Sequence, residues 1–212
     1  MKTFLQPITY KLQANRGMTF IELIVVIGIF ATITGVVLFN FTGFTTSISL
    51  QNLANQIALQ LKKAQTEALS GTGGGALFGT NRPSYGIHFE TANPSHFYYF
   101  ADIDNGGVID STAFCPGANS ECLDDITIQT GDTIINLAAS NCPLNTGLDI
   151  TFQRPFPDAI FHEDGIIQSP QPSKIGIEIK SSKGTKKTIL VWSTGQIEIK
   201  NGPINVDFPI CP

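Results

Sequence analysis

The sequence predicts an α+β protein in which one long N-terminal helix, membrane-spanning in its first half, packs on a domain built from an antiparallel sheet. Three observations carry that expectation. An uncharged apolar run lies near the start of the chain, and a stretch with one apolar stripe at helical spacing follows it. Beyond a glycine cluster the chain turns to short alternating runs separated by turn residues.

With 212 residues the chain has room for one globular domain and an added element. Its charged content of 14% is low for a soluble enzyme of this size. Residues 1–17 carry Lys2, Lys11 and Arg16 and no acid, which leaves ten of the 13 bases against all 17 acids in the remainder, a net charge of −7. Phosphate contacts need clustered Lys and Arg, so that balance argues against general nucleic-acid binding.

From Leu23 to Phe39 the chain reads LIVVIGIFATITGVVLF, without charge or proline. With its apolar flanks, about residues 20–41, the run matches the roughly 20 residues needed to cross a bilayer. Lys11 and Arg16 precede it and the next base is Lys62, so the positive-inside tendency keeps the N-terminus in the cytoplasm and exports the rest. A secretory signal fits badly, because the apolar run is long and passes into a further helical stretch without a break. A plain signal anchor explains the span and its orientation but not Glu22, which sits between Phe20-Ile21 and Leu23-Ile24. An intramembrane carboxylate costs about 2.5–3.5 kcal/mol on insertion scales and by default marks a partner. The cation at hand would be a chain terminus created by cutting after Gly17.

Arg16-Gly17-Met18-Thr19-Phe20-Ile21-Glu22-Leu23 resembles the type III signal of type IV pilins and type II secretion pseudopilins. The resemblance implies a cytoplasmic leader, residues 1–17, removed by a prepilin peptidase that also methylates the new N-terminus. Gly17 is then the last leader residue, Met18 the methylated terminus in place of the usual Phe, and Glu22 the assembly glutamate. It implies further partners: other pilin or pseudopilin subunits, the inner-membrane assembly platform, and the lipid bilayer before assembly. The expected fold is thus pilin-like, and the location a single-pass cytoplasmic-membrane precursor that later joins a periplasmic or extracellular filament.

Between Ser47 and Ser70, Leu50, Leu53, Ile57, Leu61, Ala64 and Ala68 recur at steps of three and four, with polar residues between them. A helix over residues 18–70 would be roughly 75–80 Å long at 1.5 Å per residue. Gly28, Gly35 and Gly43 are its expected weak points, and Gly71-Thr72-Gly73-Gly74-Gly75 ends it. The absence of proline in the span is unlike many major pilins, so the resemblance points to a pseudopilin or minor pilin first, with a major pilin as the alternative.

Residues 71–212 read as the exported, antiparallel β-rich domain. Strands are expected at Tyr85–Glu90, His96–Ala101, Ile126–Gln129, Thr133–Leu137, Leu148–Phe152, Ile175–Lys180, Lys186–Trp192 and Gln196–Lys200, the last three as a meander with one face toward the helix. The order of Tyr85–Phe89, Tyr98–Asp102 and the final Trp192–Ile197 hairpin resembles the GspH/FimT-like pseudopilin domain.

Four cysteines follow residue 110. In an exported domain an even count favours two disulfides, in one of three connectivities; Cys115 with Cys122 and Cys142 with Cys211 is the expected pairing. No Cys-x-x-Cys is present and His88, His96 and His162 show no ligand spacing, so zinc has little support. Asp102, Asp104 and Asp110, with Gly107 at the sixth position, partly follow a calcium-loop pattern. Gly106 replaces its fifth-position ligand and Ala113 its closing Glu; Asp124 or Asp125 could complete the set, and the plainer reading is a polar hairpin turn. Lys183, Lys186 and Lys187 cluster near the last hairpin, either as a DNA-binding patch or as solvated edge lysines, the reading favoured here.

No nucleophile elbow, phosphate loop or His/Asp/Ser arrangement supports catalysis, and no cofactor is required. The expected function is structural, a filament subunit and not an enzyme. The rivals are a binding module for DNA or a surface, and a monomeric anchored calcium protein that would leave Gly17 and Glu22 without a role.

Overall fold

The computed structural model describes residues 17–71, 82–112, 115–116, 120–139, 147–167 and 169–204. They form one helix, α1 (Phe20–Ser70), and ten strands. These are β1 (Ser84–Glu90), β2 (His96–Asp102), β3 (Cys122–Thr127), β4 (Thr133–Ala139), β5 (Gly147–Phe152), β6 (Ala159–Glu163), β7 (Ile166–Ile167), β8 (Lys174–Lys180), β9 (Lys186–Trp192) and β10 (Ile197–Asn201). The architecture is α+β with antiparallel sheets. By contacts the chain divides into two compact units, Met1–Thr42 and Gly43–Pro212, each described by itself below.

In the first unit the helix begins at Phe20, two residues later than expected from the sequence. It passes through Gly28 and Gly35 without interruption and, at the second unit's start, through Gly43. Phe20–Leu38 is long and apolar enough to cross a membrane, and its side chains are almost all exposed.

In the second unit the continuation of α1 presents the apolar stripe that the sequence predicts. Leu50, Leu53, Ile57, Leu61, Ala64 and Ala68 are all buried in the main core. Each large aliphatic side chain stabilises by about 1.5–3 kcal/mol on full burial. The helix stops at Gly71, whose φ of 59° is left-handed and whose amide bonds to the Glu67 carbonyl at 3.2 Å.

Two sheets complete that core. One has the order β3-β2-β1-β5-β6-β7 and the other β10-β9-β8-β4. Tyr85, Ile87, Phe89, Phe97, Tyr99, Ile150, Phe152 and Phe161 enter the cluster from the first; Ile134, Leu137, Ile175, Ile177, Ile179, Ile189 and Val191 enter from the second. The expected meander is present as β8-β9-β10, with β4 added at its edge through Ile134↔Ile179 and Leu137↔Ile177.

Two elements depart from the sequence expectation. β3 covers Cys122–Thr127 where Ile126–Gln129 was expected. It is an edge strand registered on β2 by Phe97↔Ile126 and Tyr99↔Asp124, and its paired acids, Asp124 and Asp125, hide the β signal. The β6-β7 hairpin was not expected at all. Its turn is Asp164-Gly165, with φ of 49° and 80°, the left-handed pair that a two-residue hairpin connection uses.

Candidate functional site

Two places carry chemistry, one in each unit. At the start of α1, Gly17 and Met18 are exposed and lie outside the helix. Thr19 is the N-cap: its carbonyl accepts the Leu23 amide at 3.2 Å, and its Oγ1 accepts the Glu22 amide at 3.4 Å. Thr19 thus caps the helix, and Glu22 in the first turn complements the positive end of the helix dipole. Glu22 thus has a local helix-starting role that the sequence reading gave wholly to a partner. Its side chain is exposed, and among the described residues no cation pairs with it.

The second place is the loop after β2. Asp102 closes that strand and is 2% exposed. Its Oδ2 accepts the Gly107 amide at 3.0 Å, while Asp104 Oδ1 accepts the Gly106 amide at 2.8 Å. Glu121, also buried, grips the same loop from the far side. Its Oε1 accepts the Ile103 amide at 2.8 Å, its Oε2 accepts the Asp110 amide at 3.2 Å, and its carbonyl accepts the Ala101 amide at 2.9 Å. Asp102, Asp104 and Glu121 each bring a carboxylate oxygen within 4.8 Å of the other two.

Crowding and burial show in the acidities. Burial pushes the Asp102 carboxyl up to about 6, against the Gly107 amide, and the Glu121 and Asp104 carboxyls add to the rise. Glu121 is raised first by burial, with the Ile103 and Asp110 amides opposing and the Asp110 and Asp104 charges assisting. Asp102 Oδ1 is buried and has no hydrogen-bond partner.

The calcium-loop reading is corrected in its third ligand. Asp110 gives the cluster a backbone amide rather than a carboxylate, and Glu121 takes the place assigned to it. The register is the cause: the Ala101–Glu121 backbone bond draws Glu121 in beside β2. Asp125, considered as a possible completing ligand, instead holds His96 at 2.8 Å. A disulfide joins Cys115 to Cys122 at the end of the same loop, with Cα atoms 5.2 Å apart; Cys142 and Cys211 lie outside the described residues.

Beneath this loop runs a polar row that no local sequence pattern announces. His162, Asp149, His88, Tyr98 and Asp125 occupy successive register positions across β6, β5, β1, β2 and β3. His88 Nδ1 lies 2.8 Å from Asp149 Oδ1, which also accepts the Ile109 amide at 3.4 Å. His162 is buried, its Nδ1 has no partner, and burial lowers its pKa against the pull of Asp149. A cleft of about 290 Å³ is lined by Asp102, Asn105, Gly107 and His162 among others. Gly107 has a φ of 80°, and a Cβ there would sit 2.4 Å from the His162 ring, so only glycine lets the loop lie this close.

The lysine patch does not form. Lys187 is 9% exposed and donates to Gln51 Oε1 at 2.6 Å and Asn201 Oδ1 at 2.5 Å. Lys186 pairs with Glu178 at 2.8 Å, which leaves Lys183 of the three in an exposed turn. Alternation explains the difference, since neighbouring strand residues face opposite sides of a sheet.

Comparison with protein-family models, curated proteins and solved structures gives no match to the chain.

Proposed function

We propose that the chain is a structural subunit, a pseudopilin or minor pilin, of a type IV pilus or type II secretion-like filament, and not an enzyme. The observation that carries the reading is the juxtaposition at the head of α1. A basic leader ends at Gly17, a capped helix starts at Thr19-Phe20, and Glu22 lies in an otherwise uncharged span of 19 residues, Phe20–Leu38.

The chemistry follows from that order. Cleavage after Gly17 frees the Met18 amine four residues from Glu22, and the exposed, non-helical Gly17-Met18 bond suits a peptidase. In a packed filament the amine and the Glu22 carboxylate of a neighbouring subunit neutralise each other, where either charge alone in apolar surroundings is costly. The pair also fixes axial register, because a slipped subunit leaves both charges unpaired. Before assembly the helix holds the precursor in the cytoplasmic membrane, with the β-rich unit exported.

The test is the intact mass and N-terminal sequence of the full chain, produced with and without a prepilin peptidase. The expected mature protein begins at Met18 and carries one added methyl only when the peptidase is present. Retention of residues 1–17 under both conditions, or a cut near residue 40, overturns the filament reading.

A further inference from the structure

We propose that Asp102, Asp104 and Glu121 form a divalent-cation site of calcium type that fixes residues 103–112 over the outer face of the six-stranded sheet. Two independent observations support it. The first is the donor set: three carboxylate oxygens within 4.8 Å of one another, an all-oxygen arrangement of high negative charge. Oxygens bound to one calcium at about 2.3–2.6 Å lie no farther apart than about twice that distance, so the cluster fits around a single ion.

The second is the buried oxygen of Asp102. The side chain is 2% exposed, its Oδ2 is taken by the Gly107 amide, and its Oδ1 meets no donor. A buried, unpartnered carboxylate oxygen is costly, and a divalent ion beside Asp102 Oδ1 removes that cost. Asp102 also lines the cleft with Asn105 and Gly107, which gives an ion and its remaining water ligands a route in.

Calcium suits the site better than magnesium or zinc. The donors are oxygens on an irregular loop, whereas magnesium demands near-ideal octahedral geometry and zinc favours nitrogen and sulfur. The ion would tie the end of β2 (Asp102), the loop (Asp104) and the residue before β3 (Glu121), and so reinforce the bonds that the Glu121 carboxylate already makes to the Ile103 and Asp110 amides. This assignment does not rest on the filament reading, because ion uptake is independent of N-terminal processing.

The experiment is calcium titration of the chelator-treated full chain in detergent micelles, by calorimetry, for the wild type, Asp104→Asn and Glu121→Gln. Expected are one saturable calcium per chain in the wild type and a loss of affinity of about tenfold or more in each variant. In the wild type, calcium also slows hydrogen exchange at the Gly106 and Gly107 amides, which bond to the cluster carboxylates. Should Glu121→Gln fail to fold by circular dichroism, Asp104→Asn decides, since its side chain is exposed. The proposal is overturned by no saturable uptake at about 10 mM calcium, well above the range of extracellular sites. It is equally overturned by wild-type affinity in Asp104→Asn, or by an equal concentration of magnesium displacing the calcium.

Discussion

Tyr99 shows how one residue ties helix to sheet. Its hydroxyl donates to the Glu67 carboxylate, its ring stacks on Tyr85 at 6.1 Å, and Lys63 Nζ lies 4.1 Å from its centroid. Burial first, and then the Glu67 bond, raise the phenol far above its ordinary pKa, so it remains a donor at every working pH. Tyr99→Phe keeps the ring and strands the half-buried Glu67; it should destabilise the second unit by about 1–3 kcal/mol, read from thermal unfolding followed by Trp192 fluorescence. His162 supplies a pH prediction. Burial lowers its pKa, so the unfolded chain binds this proton more readily than the folded one, and stability falls as the pH drops below about 6.5. Asp102, raised to about 6, works in the opposite sense, so the wild-type profile mixes the two. His162→Gln isolates the histidine: relative to wild type, its melting temperature should fall less between about pH 6.5 and 5.

At the scale of elements, the β9-β10 turn depends on one glycine. Gly195 has a φ of 78°, and a Cβ there would lie 2.1 Å from the Pro157 carbonyl oxygen and 2.3 Å from Gln65 Nε2. Gln65 Nε2 donates to both the Pro157 and Gly195 carbonyls, at 2.7 and 3.2 Å, so helix, turn and the loop before β6 meet at this point. Gly195→Ala should cost more than about 2 kcal/mol. Gly184→Ala, at a φ of 90° in open space, should cost only the backbone strain, about 1–2 kcal/mol. Comparison of the two melts checks the difference. The same elements show what a sequence can disclose. The Leu50–Ala68 stripe and the β8-β9-β10 meander repeat at the periods of helix and strand, so composition alone exposes them. β3 is obscured because Asp124 and Asp125 are poor strand formers that pairing with β2 nonetheless places there, and β6-β7 hinges on a turn whose Asp-Gly signal is brief.

Across the whole molecule, legibility follows whether a site is linear or folded. The acidic cluster was half readable: Asp102 and Asp104 are neighbours in sequence, but Glu121 reaches them through the β2-β3 connection, and no local pattern announces that. Lys186 and Lys187 failed as a patch for the reverse reason, adjacent in sequence and sent to opposite sides by the strand. The Gly17–Glu22 segment is linear, so all of it could be read, yet the fold adds a second role for Glu22 that any assembly experiment must separate. The cap uses the Glu22 backbone amide, which any side chain at that position keeps, whereas pairing with a buried amine requires the charge. Glu22→Gln therefore keeps the cap and removes only the carboxylate. Glu22 also lies outside the Gly43–Pro212 unit that holds the core, so the melting temperature of that unit should stay within about a degree of wild type. Leader removal should proceed as well, because Gly17 and Met18 are untouched. Filament yield after shearing, expected to fall at least tenfold, is then the one readout that moves. Normal yield in Glu22→Gln would mean that assembly does not need the charge at this position.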